Sequence, residues 1–255
     1  MKIDLNCDLG ENYGVYKIGN DEKIMPYITS ANVACGFHAG DSMTMAKTVN
    51  LAKKYGIAVG AHPGFPDLLG FGRREMHVTF EEAKNYTIHQ VGALLAFAKA
   101  VNMKLQHVKP HGALYNIAVK DERLSEAIVK ATKAVSEDFI VFAPPKSALA
   151  KVAVEAELRV AHEFFADRSY NADGTLVPRN RKGAVVQKPK KVVENLVRAI
   201  REGKVLAVNG STIKLGKLHT VCVHGDTQGA VSLAKLLKSE LTAADVEVEP
   251  VGNFV

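Results

Sequence analysis

Residues 3–10, IDLNCDLG, decide the fold of this 255-residue chain. Side chains alternate between the two faces of a strand, so Asp4, Asn6 and Asp8 share one face and three apolar side chains share the other. Central strands of an open, doubly wound sheet are covered by helices on both sides and should be apolar on both faces. One consistently polar face therefore predicts a barrel whose interior is partly polar.

Two later strands repeat this parity. Residues 105–112, LQHVKPHG, and residues 221–226, VCVHGD, place polar or titratable side chains at alternate positions. These side chains are His107, Lys109, His111, Cys222, His224 and Asp226. The barrel interior should therefore be polar along several of its strands.

Short apolar runs alternate with helix-like segments along the whole chain. The predicted strands are IDLNCDLG, SANVACG, IAVGAHPG, LQHVKPHG, FIVFAPP, VAHEFFADR, KVLAVNG and TVCVHGD. Repeated strand and helix predict parallel strands joined by right-handed crossovers. Because no linker, internal repeat or low-complexity stretch divides the chain, we predict one α/β domain over residues 1–255, an irregular (β/α) barrel.

Three predicted helices carry clear end signals. Thr79 and Glu82 form a capping-box pattern at the start of a helix that runs to about residue 102. Asp41 or Ser42 can cap a second helix, which ends at the glycine at position 56. A third is predicted over 189–203, with proline in its first turn and glycine at its end.

Titratable side chains gather where the predicted strands give way to loops. They are Asp8, His38, His62, His111, Asp167, Arg168 and Asp226. In a (β/α) barrel the carboxyl ends of the strands carry the active site. We therefore predict a functional cluster at that end, although a single histidine there would more often be a packing residue.

The chemistry of this cluster has several interpretations from the residues alone. Lys109 can bind a carboxylate or polarise a carbonyl, and its structural alternative is an ion pair with Asp8 or Glu163. Arg168 suits a substrate carboxylate or phosphate. The candidate general bases are Asp8, Glu163, Asp167 and Asp226.

A divalent metal is a further alternative. Asp8, His38 and His62 combine carboxylate and imidazole donors, which suit zinc or a harder divalent ion. No HExxH or paired CxxC motif fixes a ligand spacing, so the ligand set stays unknown. Cys35 and Cys222 lie within predicted strands and are weaker candidates as nucleophiles.

Composition and charge exclude several classes of protein. The net charge of +6 comes largely from residues 178–191, which contain no aromatic side chain and no nucleic-acid motif. We interpret this basic segment as a solvated loop or as a docking surface for an anion or an acidic partner.

No apolar run reaches the roughly 20 residues of a membrane helix, and no signal peptide is recognisable, so we predict a cytoplasmic protein with reduced cysteines.

No standard nucleotide motif is present. Residues 210–218, GSTIKLGKL, imitate a phosphate-binding loop but have five residues between the glycines where the motif has four. Leu218 also replaces the hydroxyl that would bind magnesium, and no dinucleotide fingerprint occurs. The sequence therefore offers no recognisable ATP or NAD site.

Several long blocks resemble the LamB/YcsF family over nearly the whole chain. They are DLNCDLGE, SANVACGFHAGD, AHPGFPDLLGFGRR, KPHGALYN, EFFADRSYNADGTLVPR and VCVHGD. The resemblance implies a seven-stranded (β/α) barrel related to glycoside hydrolases and polysaccharide deacetylases. It also implies the A component of an ATP-dependent 5-oxoprolinase, which opens the lactam of 5-oxoproline to glutamate together with subunits B and C.

The resemblance leads to a set of predicted roles. Asp8 or Asp226 would activate water, Lys109 and His111 would stabilise developing charge, and His62 and Glu163 would orient their neighbours. The predicted substrate-binding residues are Asn6, His38, Tyr115, Asp167, Arg168 and His224. ATP would be bound at a nonstandard site in the barrel or, as we prefer, by the partner subunits.

Two rival functions remain open at this point. A metal-dependent deacetylase or other amidohydrolase would use the same end of the barrel, lose activity with a chelator and ignore ATP. A non-catalytic binding or regulatory module would bind a ligand without turnover. The cluster of titratable groups favours an enzyme.

Overall fold

A computed structural model describes residues 1–186, 188–226 and 229–255. Gln187, within the basic segment 178–191, lies outside the described residues. The described strands are β1 Lys2–Leu9, β2 Ser30–Ala34, β3 Ala58–His62, β4 Leu105–Val108, β5 Ile140–Ala143, β6 Arg159–Phe165, β7 Lys204–Leu206, β8 Thr212–Lys214, β9 Thr220–His224 and β10 Glu247–Val248.

Seven parallel strands close into a barrel. The order β1-β2-β3-β4-β5-β6-β9 is completed by pairing of β9 with β1, from Asp4 opposite Thr220 to Asp8 opposite His224. The two-residue strand β10 pairs with the start of β1. The predicted seven-stranded (β/α) barrel is confirmed.

Helices follow most of the barrel strands. They are α1 Asp21–Ile24, α2 Ser42–Tyr55, α3 Phe80–Ala100, α4 Gly112–Ala118, α5 Glu122–Val135, α6 Ala148–Glu155, α7 Pro189–Glu202 and α8 Ala230–Ala243. The three predicted helices are confirmed, including the Thr79 capping box of α3 and the left-handed glycines that end α2 and α7. None of the described helices is both long and apolar enough to cross a membrane.

One predicted strand lies outside the barrel. The run KVLAVNG contains β7, which pairs antiparallel with β8 in a two-stranded sheet of its own. Unlike a barrel strand, β7 exposes an apolar side chain: Val205 is buried but Leu206 is 42% exposed. An apolar run of this length predicts a strand but does not say which sheet it joins.

The barrel interior is polar, as the parity of β1 predicts. Asp4 accepts hydrogen bonds from the hydroxyls of Thr29 at 2.8 Å, Ser30 at 2.6 Å and Thr220. These residues are buried, and burial raises the pKa of Asp4 to about 6 despite the three hydroxyl donors. A buried polar group is tolerated when it is hydrogen-bonded in this way.

Gly60 of β3 leaves the space that His107 of β4 occupies. The His107 ring stacks on Phe142 with 4.0 Å between centroids, and its Nε2 lies 2.7 Å from Asn32 Oδ1. A Cβ at residue 60 would overlap that imidazole ring. The absence of a side chain at Gly60 thus lets His107 pack in the barrel interior.

Gly60→Ala should therefore destabilise the fold by about 1–3 kcal/mol, because a methyl group is forced into a filled core. Gly92→Ala is the matched control: a Cβ there meets nothing within 4 Å, and Gly92 lies inside α3. Alanine in a helix is favoured over glycine by up to about 1 kcal/mol, so this variant should be unchanged or more stable. Urea unfolding measures both, and equal stability of the two variants would contradict the packing described.

Candidate functional site

A cavity of about 1050 Å³ opens at the carboxyl ends of the barrel strands. Its lining includes seven of the predicted site residues: Asp8, His62, Lys109, His111, Tyr115, Arg168 and His224. These residues are far apart in the chain, and only barrel closure brings them together. The predicted gathering of titratable residues at this end of the barrel is therefore observed.

Lys109 lines the cavity and is only 2% exposed. Its Nζ is 2.9 Å from Asp8 Oδ1 and 3.0 Å from Glu163 Oε1, so both ion pairs considered in the sequence are present. It also donates to Asn6 Oδ1 at 3.2 Å and lies 3.0 Å from Cys222 Sγ. Burial opposes its charge, but the carboxylate of Asp8 holds the pKa of Lys109 well above its usual value.

Asp8 is a charged residue of the cavity lining. Asn32 Nδ2 donates to Asp8 Oδ1 at 2.8 Å, and His62 Nε2 lies 3.4 Å from the same oxygen. Burial alone would raise the pKa of this carboxyl group, but the charges of His62 and Lys109 hold the pKa well below its usual value. Asp8 is therefore ionised at neutral pH and borders the space where a substrate would lie.

Glu163 is held from both sides beneath the cavity. Its Oε1 accepts from Asn6 Nδ2 at 2.9 Å, and its Oε2 accepts from the Tyr115 hydroxyl at 2.6 Å. Burial and the charge of Glu163 raise the pKa of Tyr115 well above its usual value, so the phenol stays protonated as the donor. Glu163 thus fixes the positions of Lys109 and Tyr115.

His224 and Asp167 form a hydrogen-bonded pair. His224 Nδ1 lies 3.0 Å from each carboxylate oxygen of Asp167, and the imidazole ring stacks near Phe165. Burial works against ionisation of Asp167, but His224 lowers the pKa of that carboxyl group overall. The carboxylate of Asp167 accepts from Nδ1–H, which leaves Nε2 of His224 as the nitrogen that can exchange a proton with a ligand.

The remaining predicted residues lie at the edges of the cavity or behind it. Asp226 pairs with Arg73 Nη2 at 2.6 Å, and Arg73 lines the cavity. Arg168 donates from Nη2 to the Val177 carbonyl at 2.6 Å, so part of its guanidinium group supports the loop that follows β6. His38 lies behind the cavity lining and stacks on His111, with 3.8 Å between ring centroids.

Three side chains that the sequence patterns did not indicate complete the site. Arg73 and Arg179 line the cavity, and Glu11 lies buried beside His38 and His111. Arg179 belongs to the basic segment, but its Nη2 is buried and has no hydrogen-bond partner among the described residues. Glu11 follows the glycine that ends the first predicted strand. A carboxylate directly after a strand end was the available signal in the sequence.

Four of these residues form a group of potential metal ligands. Ligand atoms of Glu11, His38, His62 and His111 all lie within 4.8 Å of one another, and all four side chains are buried. Asp8, Cys222 and His224 form a second such group. A divalent metal therefore has candidate donors in this site, with imidazole and carboxylate atoms together.

The comparison with known proteins identifies the family. The model of the LamB/YcsF family matches residues 3–255. This chain belongs to the LamB/YcsF family. Two members from Pyrococcus horikoshii and Thermococcus onnurineus, each named as the A subunit of 5-oxoprolinase, are 51% and 53% identical to it over 255 residues, covering 100% of each chain.

Solved structures of similar proteins agree with the LamB/YcsF fold. The lactam utilization protein from Thermus thermophilus is 42% identical and superposes with a TM-score of 0.91 over 98% of this chain and 99% of its own. A putative cellobiose-phosphate cleavage protein from Enterococcus faecalis is only 12% identical, with a TM-score of 0.59 over 100% and 98%. The second likeness extends to the fold alone.

Proposed function

We propose that this LamB/YcsF protein is the A component of an ATP-dependent 5-oxoprolinase, which opens the lactam of 5-oxo-L-proline to give L-glutamate, ADP and phosphate. The observation that carries the proposal is the ionised Asp8 beside Lys109 at the floor of a cavity that also holds the Asp167–His224 pair. Relatives identical at about half of all positions along the full chain are named as the A subunit of 5-oxoprolinase. The metal-dependent deacetylase or amidohydrolase is not favoured by these relatives.

Lactam hydrolysis needs activation of the carbonyl group, because amide resonance makes it a poor electrophile. Phosphoryl transfer from ATP to the lactam oxygen supplies that activation. Water then attacks the ring carbon, the ring C–N bond breaks, and the nitrogen takes up a proton. A second water releases phosphate from the resulting acyl phosphate, so the reaction consumes one ATP and two waters.

Asp8 is placed to activate the attacking water. Asp8 lines the cavity, and its contacts with Lys109 and Asn32 both use Oδ1, which leaves Oδ2 for a water. Asp226, the alternative from the sequence, pairs with Arg73 at 2.6 Å at the cavity edge. Asp167 holds Nδ1 of His224, so Nε2 is the nitrogen that faces a ligand, and in its imidazolium form the ring is placed to deliver a proton from Nε2 to the departing nitrogen. Lys109 and Glu163 act as positioning residues, because Lys109 Nζ is surrounded by four protein acceptors.

Arg179 is the best-placed group for the carboxylate of 5-oxoproline. Arg179 lines the cavity, and its buried Nη2 has no hydrogen-bond partner among the described residues. A buried guanidinium donor without a partner is costly, and a substrate carboxylate would satisfy it. Arg168, predicted for this role, already donates to a backbone carbonyl.

We also propose partner subunits and a docking surface for them. Subunits B and C would bind the nucleotide or share it at an interface with this chain. Most cations of the basic segment, from Arg181 to Lys191, are exposed and form our predicted docking surface for a partner subunit. The cytoplasmic location stays a prediction from the sequence.

The substrate assignment is tested with 2-pyrrolidinone, which has the same lactam ring but no carboxylate. In the assembly with partner subunits and ATP, the chain should prefer 5-oxoproline, and Arg179→Met should lower that preference in kcat/KM about 10- to 100-fold, because a charged hydrogen bond is lost. Arg181→Met, an exposed cation of the same segment, is the matched control and should keep it. An assembly that turns over both lactams equally well would contradict the proposal.

A further inference from the structure

The group of Glu11, His38, His62 and His111 has a hydrogen-bond pattern that protein atoms alone do not complete. His62 Nδ1 lies 2.6 Å from the Lys109 carbonyl oxygen, and His111 Nε2 lies 2.8 Å from the Phe71 carbonyl oxygen. A carbonyl oxygen cannot donate, so each of these two nitrogens carries a proton. The tautomers are thereby fixed by backbone groups.

These tautomers leave two bare nitrogens facing each other. His62 Nε2 and His111 Nδ1 are 3.0 Å apart, and in the neutral rings both carry a lone pair toward the same point. Either a shared proton or a cation must lie between them. A cation at this point would also be near His38 and Glu11, because ligand atoms of all four residues lie within 4.8 Å of one another.

His38 supplies an independent observation. It is 1% exposed, and neither ring nitrogen has a hydrogen-bond partner among the described residues. Buried imidazoles without a partner are rare, because the lost hydration is not replaced. The ring is held parallel to His111 at an angle of 1°, with Nε2 3.9 Å from Glu11 Oε1.

The backbone around His38 is shaped to hold this ring. A Cβ at Gly64 would come within 2.6 Å of His38 Nδ1, and a Cβ at Gly72 would come within 2.7 Å of His38 Cβ. Gly72 also has φ +63, a left-handed conformation that favours glycine. The two glycines thus leave space for the His38 ring, although its nitrogens have no hydrogen-bond partner among the described residues.

We propose that Glu11, His38, His62 and His111 bind one divalent transition-metal ion of the zinc class. Three imidazoles and one carboxylate form a donor set that suits tetrahedral zinc. Metal–nitrogen bonds of about 2.0–2.1 Å place tetrahedral ligand atoms roughly 3.3 Å apart. The observed separations of 3.0, 3.7 and 3.9 Å are close to that value. Because an imidazole binds a metal in its ring plane, the His38 ring, which lies parallel to His111, must rotate to face the same ion.

This set differs from the metal ligands considered in the sequence. The proposed ligands include Glu11 and His111 and leave out Asp8, whose Oδ1 already accepts hydrogen bonds from Lys109 and Asn32. His62 and His111 also line the cavity, so the metal would supply a Lewis acid at its wall.

The inference does not rest on the proposed lactam hydrolysis, because it is tested on this chain without lactam, ATP or partner subunits. The chain is stripped with a chelator, titrated with Zn²⁺ by calorimetry, and loaded with Co²⁺, whose visible spectrum reports tetrahedral nitrogen and oxygen ligands. One equivalent of Zn²⁺ should bind. Glu11→Gln, nearly the same size as the native residue, and His38→Ala should each weaken binding at least tenfold, and His77→Ala, an exposed histidine, is the matched control.

Circular dichroism and a thermal melt of each metal-free variant establish that the variants are folded. In the wild-type chain Zn²⁺ should raise Tm, and the rise should be lost in Glu11→Gln. Failure of the folded wild-type chain to bind Zn²⁺ would overturn the inference. So would unchanged Zn²⁺ affinity in both Glu11→Gln and His38→Ala, because the ion would then be bound elsewhere.

Discussion

Asp8→Asn should lower turnover of the assembled enzyme about 10²- to 10⁴-fold, because the change removes the group placed to take a proton from the attacking water. The asparagine keeps the size of the side chain and its neighbours Asn32 and Lys109. The loss should therefore fall on kcat, with KM for 5-oxoproline little changed. Initial rates of glutamate release, measured with saturating ATP and partner subunits, give both constants.

Asp226→Asn is the informative comparison, since Asp226 was the other carboxylate predicted to activate water. Its partner Arg73 is partly exposed and lies at the cavity edge, so the same change there should cost far less turnover. A larger loss in Asp226→Asn than in Asp8→Asn would exchange the roles of the two residues. Near-normal turnover in Asp8→Asn would remove Asp8 from the chemistry.

Lys109→Met should lower the free energy of unfolding by about 3–5 kcal/mol, because it leaves two buried carboxylates without their cation. Asp8 and Glu163 both lie within 3.0 Å of Lys109 Nζ, and all three side chains are almost fully buried. Methionine fills a similar volume, so the loss reports charge and not a cavity. Urea unfolding at neutral pH measures it.

Lys120→Met provides the matched control for that experiment. Lys120 pairs with Asp173 at 3.1 Å, but both side chains are more than half exposed, so its removal should cost less than about 1 kcal/mol. Adding Glu163→Gln to Lys109→Met should recover part of the lost stability, since one of the two unpaired charges is removed. A Lys109→Met protein as stable as Lys120→Met would show that the three buried groups are not ionised together.

Residues whose position follows from strand parity were predictable from the sequence. Alternation in β1 placed Asp4, Asn6 and Asp8 inside the barrel, and the same rule placed Lys109 and His224 in the cavity. Parity is a local property of an extended backbone, so it needs no knowledge of the rest of the fold. Both ion-pair partners considered for Lys109 were accordingly found.

Residues carried by loops were not predictable in the same way. Glu11, Arg73 and Arg179 reach the site from segments that follow β1, β3 and β6, and their directions depend on long-range packing. A basic segment indicates charge, but the sequence alone does not say that Arg179 faces the cavity while Arg181 faces solvent. For the same reason the run KVLAVNG predicted a strand but did not place β7 outside the barrel.

The most direct test of the central claim is glutamate release from 5-oxoproline and ATP. It compares this chain alone, the partner subunits alone and all components together, each with and without ATP. ATP-dependent release from the complete mixture only is the predicted result. Chelator sensitivity does not separate the rival functions, since the proposed metal site would also make a lactam hydrolase sensitive, whereas dependence on ATP does. No glutamate from a correctly assembled and folded complex, or release that ignores ATP, would contradict a 5-oxoprolinase and favour a metal-dependent amidohydrolase.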